Sequence, residues 1–346
     1  MKFLSGIVDE LERFLSKQAY SSVFVLTDAN TNKHCLPKVE SVLKKFGAHV
    51  FNLSAGEITK NIDTCISIWE DLNRLGADRS SILINLGGGM ITDLGGFVAT
   101  TYKRGIDYLN IPTSMLAMVD ASIGGKNGIN LGALKNQVGT ITSPTDVFIV
   151  PSFLNTLDRR NYLSGFAEAV KHGFLNDVNQ LKRSYNFVEF RLGDEFTDFL
   201  KTNVSIKQII VAMDPFEKAE RKMLNFGHTI GHAVESLTAN SANPLLHGEA
   251  VAWGMAAELF LSVSMFGFPQ HLMTEYVDFL RRNFVAPLLQ IDDIQALMTL
   301  MQQDKKNRSG QIRFSLLRDV GSFAYDAVPS EKLINDAVAF MLGAGM

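Results

Sequence analysis

Leu83-Ile84-Asn85-Leu86-Gly87-Gly88-Gly89-Met90-Ile91-Thr92-Asp93-Leu94-Gly95-Gly96 is the stretch on which the reading of the fold turns. A short apolar run enters three glycines and leaves as the start of a helix. Glycines let the backbone approach an anion, and a helix N-terminus offers free N–H groups at the positive end of its dipole. The string is not a regular G-x-G-x-x-G, because Thr92 stands at the third glycine position. Two readings follow, a tight βα turn or a dinucleotide-binding turn. The coincidence of strand context with three glycines favours the second.

Similar apolar, β-branched runs flank this stretch at Val23–Leu26, Val50–Leu53, Ile106–Ile111 and Val147–Val150, with Ile82–Leu86 among them. Continuous apolar character suits strands buried on both faces of a parallel sheet. Between them, Lys33–Phe46 and Ile58–Leu75 read as helices. In the second, Ile62, Cys65, Ile66, Trp69 and Leu72 form an amphipathic stripe. Gly47 and Gly76 stand where C-terminal caps belong. Alternating β and α segments predict a doubly wound, Rossmann-like α/β domain over residues 1–151. From Leu154 to about Asn307 the pattern is mainly helical. A hairpin over Gly310–Tyr325 and a closing helix over Ser330–Met341 follow. A mainly α-helical second domain is expected over 152–346.

The composition narrows the function. Of 346 residues, 46% are apolar and 20% charged, which fits a globular chain and not a disordered one. A net charge of −3 lacks the basic excess of a nucleic-acid binder. Two cysteines, Cys35 and Cys65, make no disulfide framework, so a reducing compartment is expected. The N-terminus carries Asp9, Glu10 and Glu12 and does not read as a signal peptide. Ala250–Phe268 is apolar enough to suggest a membrane span. Glu258 near its middle argues for a buried helix, and the chain is expected to be cytoplasmic.

Four of seven histidines fall between His172 and His247. His228 and His232 are spaced i, i+4 on one helix face, which allows joint metal ligation or two roles on one pocket wall. His247 follows in Leu246-His247-Gly248-Glu249. Upstream, Glu168, Lys171 and His172 share a helix face. A Glu with two His is a known catalytic zinc set with an open position. The plainer alternative is histidines that cap helices or bond within the core; the density of the cluster favours metal. Lys126 and Lys135 lie among glycines, where nothing bulky shields a cation. With Arg221, Lys222 and Asp304-Lys305-Lys306-Asn307 they point to an anionic substrate.

These strings, in order from about residue 20 to residue 320, resemble the 3-dehydroquinate synthases of the sugar phosphate cyclase family. The matching motifs are Gly87–Asp93, Tyr102–Gly105, Ile111–Ser114, Val119–Lys126, Lys135-Asn136, Gly165–Lys171, Leu224–Glu235, His247–Val251 and Asp304–Lys306. The resemblance implies a divalent metal, zinc or cobalt, on Glu168, His228 and His247, with His232 facing substrate phosphate. It implies NAD along Gly88, Gly89 and Asp93, with Asp28, Glu57, Lys60, Thr113, Ser114 and Thr156 around it and Lys135 near the nicotinamide. Substrate would meet Asp120, Lys126, Asn136, Lys171, Lys207, Arg221, Asn225, His232 and Lys305. The equivalent of Arg104 reaches a neighbouring subunit, which implies a homodimer.

The implied reaction belongs to the shikimate pathway of aromatic amino acid biosynthesis. The C5 hydroxyl of 3-deoxy-D-arabino-heptulosonate 7-phosphate is oxidised transiently with NAD, and phosphate is eliminated. C5 is then reduced again, the ring opens, and an intramolecular aldol step closes the carbocycle. Thr92 and Gly95 depart from the family's Gly-Asp-Leu-Thr-Gly run, with Thr92 expected to remain a hydrogen-bond donor near the pyrophosphate. Asp214-Pro215-Phe216-Glu217 departs as a loop change. Leu157–Arg160 lacks the family's usual prolines. The alternatives are another cyclase making an inosose or valiolone, a metal-dependent polyol dehydrogenase, and a paralogue without activity. The set Lys171, Lys207, Arg221, Asn225 and His232 favours a carboxylate-bearing substrate.

Overall fold

The computed structural model describes residues 1–132, 134–302 and 311–344. They fall into two compact units, Met1–Asp158 with Leu192–Gln208, and Arg159–Arg191 with Ile209–Met346. The change of pattern near residue 151 therefore does not coincide with a single division of the chain. Residues 192–208, helical from Asp194 as expected of the second half, nevertheless pack in the first unit: Lys201 lies over the Phe3 ring and Lys207 pairs with Asp120. Helical periodicity says which face is apolar, not which core receives it.

The first unit is built on a parallel sheet of β1 (Lys2–Phe3), β2 (Val23–Asp28), β3 (His49–Leu53), β4 (Ile82–Gly87), β5 (Asp107–Pro112) and β8 (Asp146–Ile149). The strand order is β1-β8-β5-β4-β2-β3. Central β4 is buried throughout, as a run covered on both faces must be. β3 is an edge strand, and its Val50 is exposed although the sequence reads as a buried run. Helices α1 (Val8–Gln18), α2 (Ala29–His34), α3 (Glu40–Lys45), α4 (Ile62–Arg74) and α5 (Gly89–Thr101) accompany the sheet. The single helix expected over 33–46 is broken, with a 3₁₀ turn at Leu36–Lys38; Pro37 cannot donate the N–H a continuous helix needs. In α4 the buried residues are Cys65, Ile68 and Leu72, while Ile62 and Ile66 are exposed. The inward face is thus rotated from the expected stripe. Gly47 and Gly76 take the left-handed φ of C-terminal caps. An antiparallel hairpin that the apolar pattern does not separate, β6 (Lys126–Leu131) and β7 (Leu134–Ile141), packs on α5.

The second unit is helical, with α6 (Arg159–Asn176), α7 (Val178–Tyr185), the end of α8 (Asp194–Met213), α9 (His228–Thr238), α10 (His247–Phe266), α11 (Gln270–Asn283), α12 (Ile294–Gln302) and α13 (Glu331–Ala344). The expected hairpin is present as β9 (Phe314–Asp319) and β10 (Ser322–Ala327). Among the described residues α10 is the one helix long and apolar enough to cross a membrane. It is the buried centre of this unit, packed by α6, α9, α13, β9 and α11.

Both cysteines are free and buried. Burial pushes the Cys65 thiol up to about 12 and the Cys35 thiol up to about 11. At pH 8 about one Cys35 in a thousand is thiolate, and fewer of Cys65. Neither is expected to react with a water-soluble aromatic disulfide at pH 8 until the chain is denatured, when both should. Fast labelling of the folded protein would contradict their burial.

Candidate active site

In the second unit, three helices bring the metal-ligating residue types together. Where α6 meets α10, the Gly248 N–H donates to Ser164 Oγ at 3.0 Å. A Cβ on Gly248 would lie 1.7 Å from the Ser164 carbonyl oxygen, so the backbones meet only because this residue is glycine. Arg160 donates from Nε and Nη2, each at 2.7 Å, to Glu249, which also accepts the Leu246 N–H at 2.8 Å. The start of α10, and so His247, is held from two sides.

The start of α9 is held differently. Glu258, fully buried on α10, accepts N–H groups from Gly227 at 2.7 Å, Thr229 at 3.1 Å and Ile230 at 3.4 Å. A buried carboxylate is costly unless hydrogen-bonded, and a helix N-terminus has unsatisfied donors. Each solves the other's problem, and His228 and His232 are placed on this anchored helix.

Glu168 on α6 is fully buried and neither of its oxygens accepts a hydrogen bond, although the Lys171 ammonium pairs with it. Glu168 Oε1 lies 3.6 Å from His228 Nε2 and 3.9 Å from His247 Nε2. Tetrahedral ligands about 2.0–2.2 Å from zinc stand roughly 3.3–3.6 Å apart, close to these spacings. His228 Nδ1 is 3.1 Å from the Phe226 carbonyl, and His247 Nδ1 is 3.1 Å from Glu235 Oε2. In the neutral rings both acceptors place the proton on Nδ1 and leave the Nε2 lone pairs toward Glu168. The donor set fits a divalent metal. His232 also falls in the cluster: the candidate donor atoms of His228, His232 and His247 lie within 4.8 Å of one another. Geometry alone therefore leaves two triads.

In the same unit, Arg221 is buried and donates from Nη1 to the Pro215 carbonyl at 2.7 Å. Asn225 donates to Glu217 at 2.8 Å. The segment 214–217 is more than a loop change. Asp214 accepts N–H groups from Lys218, Ala219 and Arg221, organising the turn, and Glu217 engages a predicted substrate residue. His172, on the α6 face expected to carry site residues, is fully buried. Lys305 lies outside the described residues.

In the first unit the glycine turn is closely packed. The Thr113 N–H donates to the Gly87 carbonyl at 3.0 Å, and a Cβ on Gly88 would lie 3.2 Å from Ser114 Oγ. Gly88, Gly89, Thr113 and Ser114 are thus neighbours. Thr92 is buried and donates to the Gly89 carbonyl at 3.1 Å, inside its own helix, which corrects the expected contact with a pyrophosphate. Gly95 has a packing reason: a Cβ there would lie 1.9 Å from Asn85 Oδ1.

Lys60 donates to Asp93 and Asn136, each at 2.6 Å, and lies 3.8 Å from Glu57. Burial pushes the Asp93 carboxyl above its usual range, against the pull of the Lys60 charge. Lys207 donates to the Asp120 carboxylate at 2.5 Å and to its carbonyl at 2.6 Å. Asp28 caps α2 at the end of β2. Thr156, Lys126, Lys135 and Arg104 are exposed, and Arg104 has a φ of 69°.

Residues 50–164 match the family described as 3-dehydroquinate synthase N-terminal, and residues 165–307 the one described as 3-dehydroquinate synthase C-terminal. The chain belongs to the 3-dehydroquinate synthase family. A 3-dehydroquinate synthase of Parabacteroides distasonis is 43% identical over 94% of this chain and 93% of its own length. Among solved structures, 2-epi-5-epi-valiolone synthase from Streptomyces hygroscopicus with NAD+ and Zn2+ bound is 25% identical. It covers 94% of this chain and 92% of its own, with a TM-score of 0.83. A 2-deoxy-scyllo-inosose synthase complexed with carbaglucose-6-phosphate, NAD+ and Co2+ has a TM-score of 0.86 at 23% identity. It covers 97% of this chain and 95% of its own, and at that identity the likeness is one of fold.

Several residues that build this 3-dehydroquinate synthase family site have no role that the sequence alone assigns. Glu258 reads only as a charge in an apolar helix. Glu235, seven residues after His228 and so on nearly the same face, has a usable helical signal. Asn130 has none. It donates to Glu57 at 3.0 Å and accepts the Asn136 N–H at 3.0 Å, across a hairpin that helix or strand periodicity does not reveal.

Proposed function

We propose that this chain converts 3-deoxy-D-arabino-heptulosonate 7-phosphate into 3-dehydroquinate and phosphate, with NAD and one divalent metal held by Glu168, His228 and His247. The observation that carries this reading is the convergence of Glu168 Oε1 with both Nε2 atoms, in a member of this family. When bound, the metal supplies Lewis acidity at the oxygen to be oxidised, and NAD a two-electron oxidation that is later reversed. Gly88, Gly89 and the N-terminus of α5 receive the pyrophosphate, with Thr113 and Ser114 beside it. Asp28, Glu57, Asp93 and Thr156 border the cofactor, and Lys135 lies near its nicotinamide.

The substrate's two anionic ends are given to different side chains. Lys207 and Arg221 take the carboxylate, where a guanidinium fork suits two oxygens. Asp120 keeps the Lys207 ammonium in place. Lys126, Asn136, Asn225 and His232 take the phosphate, with Lys305 completing the set. Lys171, paired with Glu168, borders the substrate. Lys60 holds both Asp93 and Asn136, so one cation ties a cofactor residue to a substrate residue. The leaving phosphate takes the C6 proton, so no strong base is required of the chain. Arg104 reaches the phosphate site of a second copy, which makes the working unit a cytoplasmic homodimer.

The test is phosphate release from 3-deoxy-D-arabino-heptulosonate 7-phosphate with catalytic NAD and zinc, before and after a chelator. Chelator-sensitive release, with dehydroquinate formed and no net NADH, is expected. Absence of release by metal-loaded protein overturns the assignment, and turnover of sedoheptulose 7-phosphate or glucose 6-phosphate instead would assign a different cyclase.

A further inference from the structure

We propose that Glu235 is a positioning residue of the metal centre, which fixes the ring orientation and tautomer of His247 and thereby sets the affinity for the metal. The proposal rests on Glu168, His228 and His247 being the ligands. Glu235 Oε2 stands 3.1 Å from His247 Nδ1, and its side chain is only 8% exposed against 30% for that of His247. The more accessible ring is thus braced from the protein side by a buried carboxylate. A carboxylate accepts only, so a neutral ring bonded to it carries its proton on Nδ1 and presents the Nε2 lone pair. The negative charge also makes Nε2 a better donor.

The two histidines are braced unequally. His228 Nδ1 faces the neutral Phe226 carbonyl, which orients the ring without adding a charge. His247 has the carboxylate. Glu235 lies on α9, the helix that also carries His228 and His232, and whose N-terminus is capped by Glu258. One helix therefore supplies a ligand, a phosphate-facing imidazole and the brace for a ligand on α10. Any shift between α9 and α10 is felt at His247 even though its own backbone stays in place.

Glu235→Gln keeps the side-chain shape and removes the charge. If its amide oxygen faces Nδ1, His247 is a weaker donor; if its NH₂ faces Nδ1, the wrong tautomer is favoured. Either orientation weakens the site. Metal-free protein is titrated with zinc against a chromophoric chelator, and the visible absorption of the cobalt form is recorded. Glu235→Gln is expected to bind zinc about tenfold more weakly or worse, the range found for such outer partners. Its cobalt bands should move while NAD affinity stays unchanged. Zinc affinity within twofold of the parent, with an unaltered cobalt spectrum, overturns the proposal. His247→Ala is run alongside: if that variant also binds zinc like the parent, the ligand assignment itself fails. A second readout needs no variant. Long-range imidazole ¹H–¹⁵N spectra of the metal-free parent at pH 8 should show His247 protonated on Nδ1, and an Nε2-protonated ring overturns the proposal as well.

Discussion

Glu168→Gln is expected to lose zinc and to lower turnover by about 10³-fold, while His232→Ala keeps zinc and loses turnover alone. The first half follows from the donor set. Glu168 is the one anionic ligand, and an amide of the same shape is a poor metal donor. Losing the Lewis acid removes several kcal/mol at the barrier, and about 4 kcal/mol corresponds to the stated factor. The second half decides between the two triads that geometry leaves open. His232 lies close enough to share a metal with His228 and His247, its ring centroid 5.2 Å and 5.7 Å from theirs. If it faces phosphate, its removal spares the metal. Zinc retained by Glu168→Gln and lost by His232→Ala would assign the metal to the three histidines. Glu168→Ala is the poorer probe, because it leaves the buried Lys171 ammonium with no oxygen from position 168 to donate to, whereas the Gln amide still offers one. The cost of that unpaired charge would mix stability with catalysis.

Gly254→Ala is expected to destabilise the protein by about 3 kcal/mol and to weaken zinc binding with it. A Cβ at this position in α10 would lie 2.1 Å from the Gly227 carbonyl oxygen and 2.6 Å from the Gly231 nitrogen. Both are backbone atoms, so no rotamer change relieves the overlap. Gly231 has the reciprocal constraint, its own Cβ position being 2.9 Å from Val251 Cα. The helices must part, and the parting separates His228 and Glu235 on α9 from His247 on α10. Urea unfolding measures the stability change, and zinc titration of the protein still folded measures the displacement. Gly343→Ala is the control. It is an exposed glycine in the last turn of α13 with nothing within 4 Å of its Cβ position, so a neutral or slightly stabilising result is expected. Equal stability of Gly254→Ala and the parent would mean that α9 and α10 do not cross as closely as described.

Part of this architecture is legible in the amino-acid sequence. The glycine turn, the five apolar runs and the histidine cluster follow from local rules about backbone freedom, periodicity and ligand chemistry, and each recurs in the folded chain. Local rules fail where a pattern has to be oriented. Ile62 and Ile66 share an apolar pattern with Cys65, but α4 turns Cys65, Ile68 and Leu72 inward. Val50 lies in an apolar run and ends up on an edge strand. Thr92 is polar beside the glycine turn, yet its hydroxyl is satisfied within its helix. For Ile62, Ile66 and Val50 a side chain with two acceptable environments is assigned one by its distant neighbours, and for Thr92 by a carbonyl three residues back.

The sequence by itself determined the α/β alternation, the glycine turn between strand and helix and the clustering of histidines, because these depend on neighbours within about one or two helical turns. Tertiary structure alone decided that Glu258 caps α9 and that Glu235 braces His247 on α10. It alone decided that residues 192–208 join the first unit and bring Lys207 to Asp120. These pairings join positions 12 to 87 residues apart. Burial makes them specific, since a buried charge or N–H must find a partner and only the packed chain determines which one is within reach.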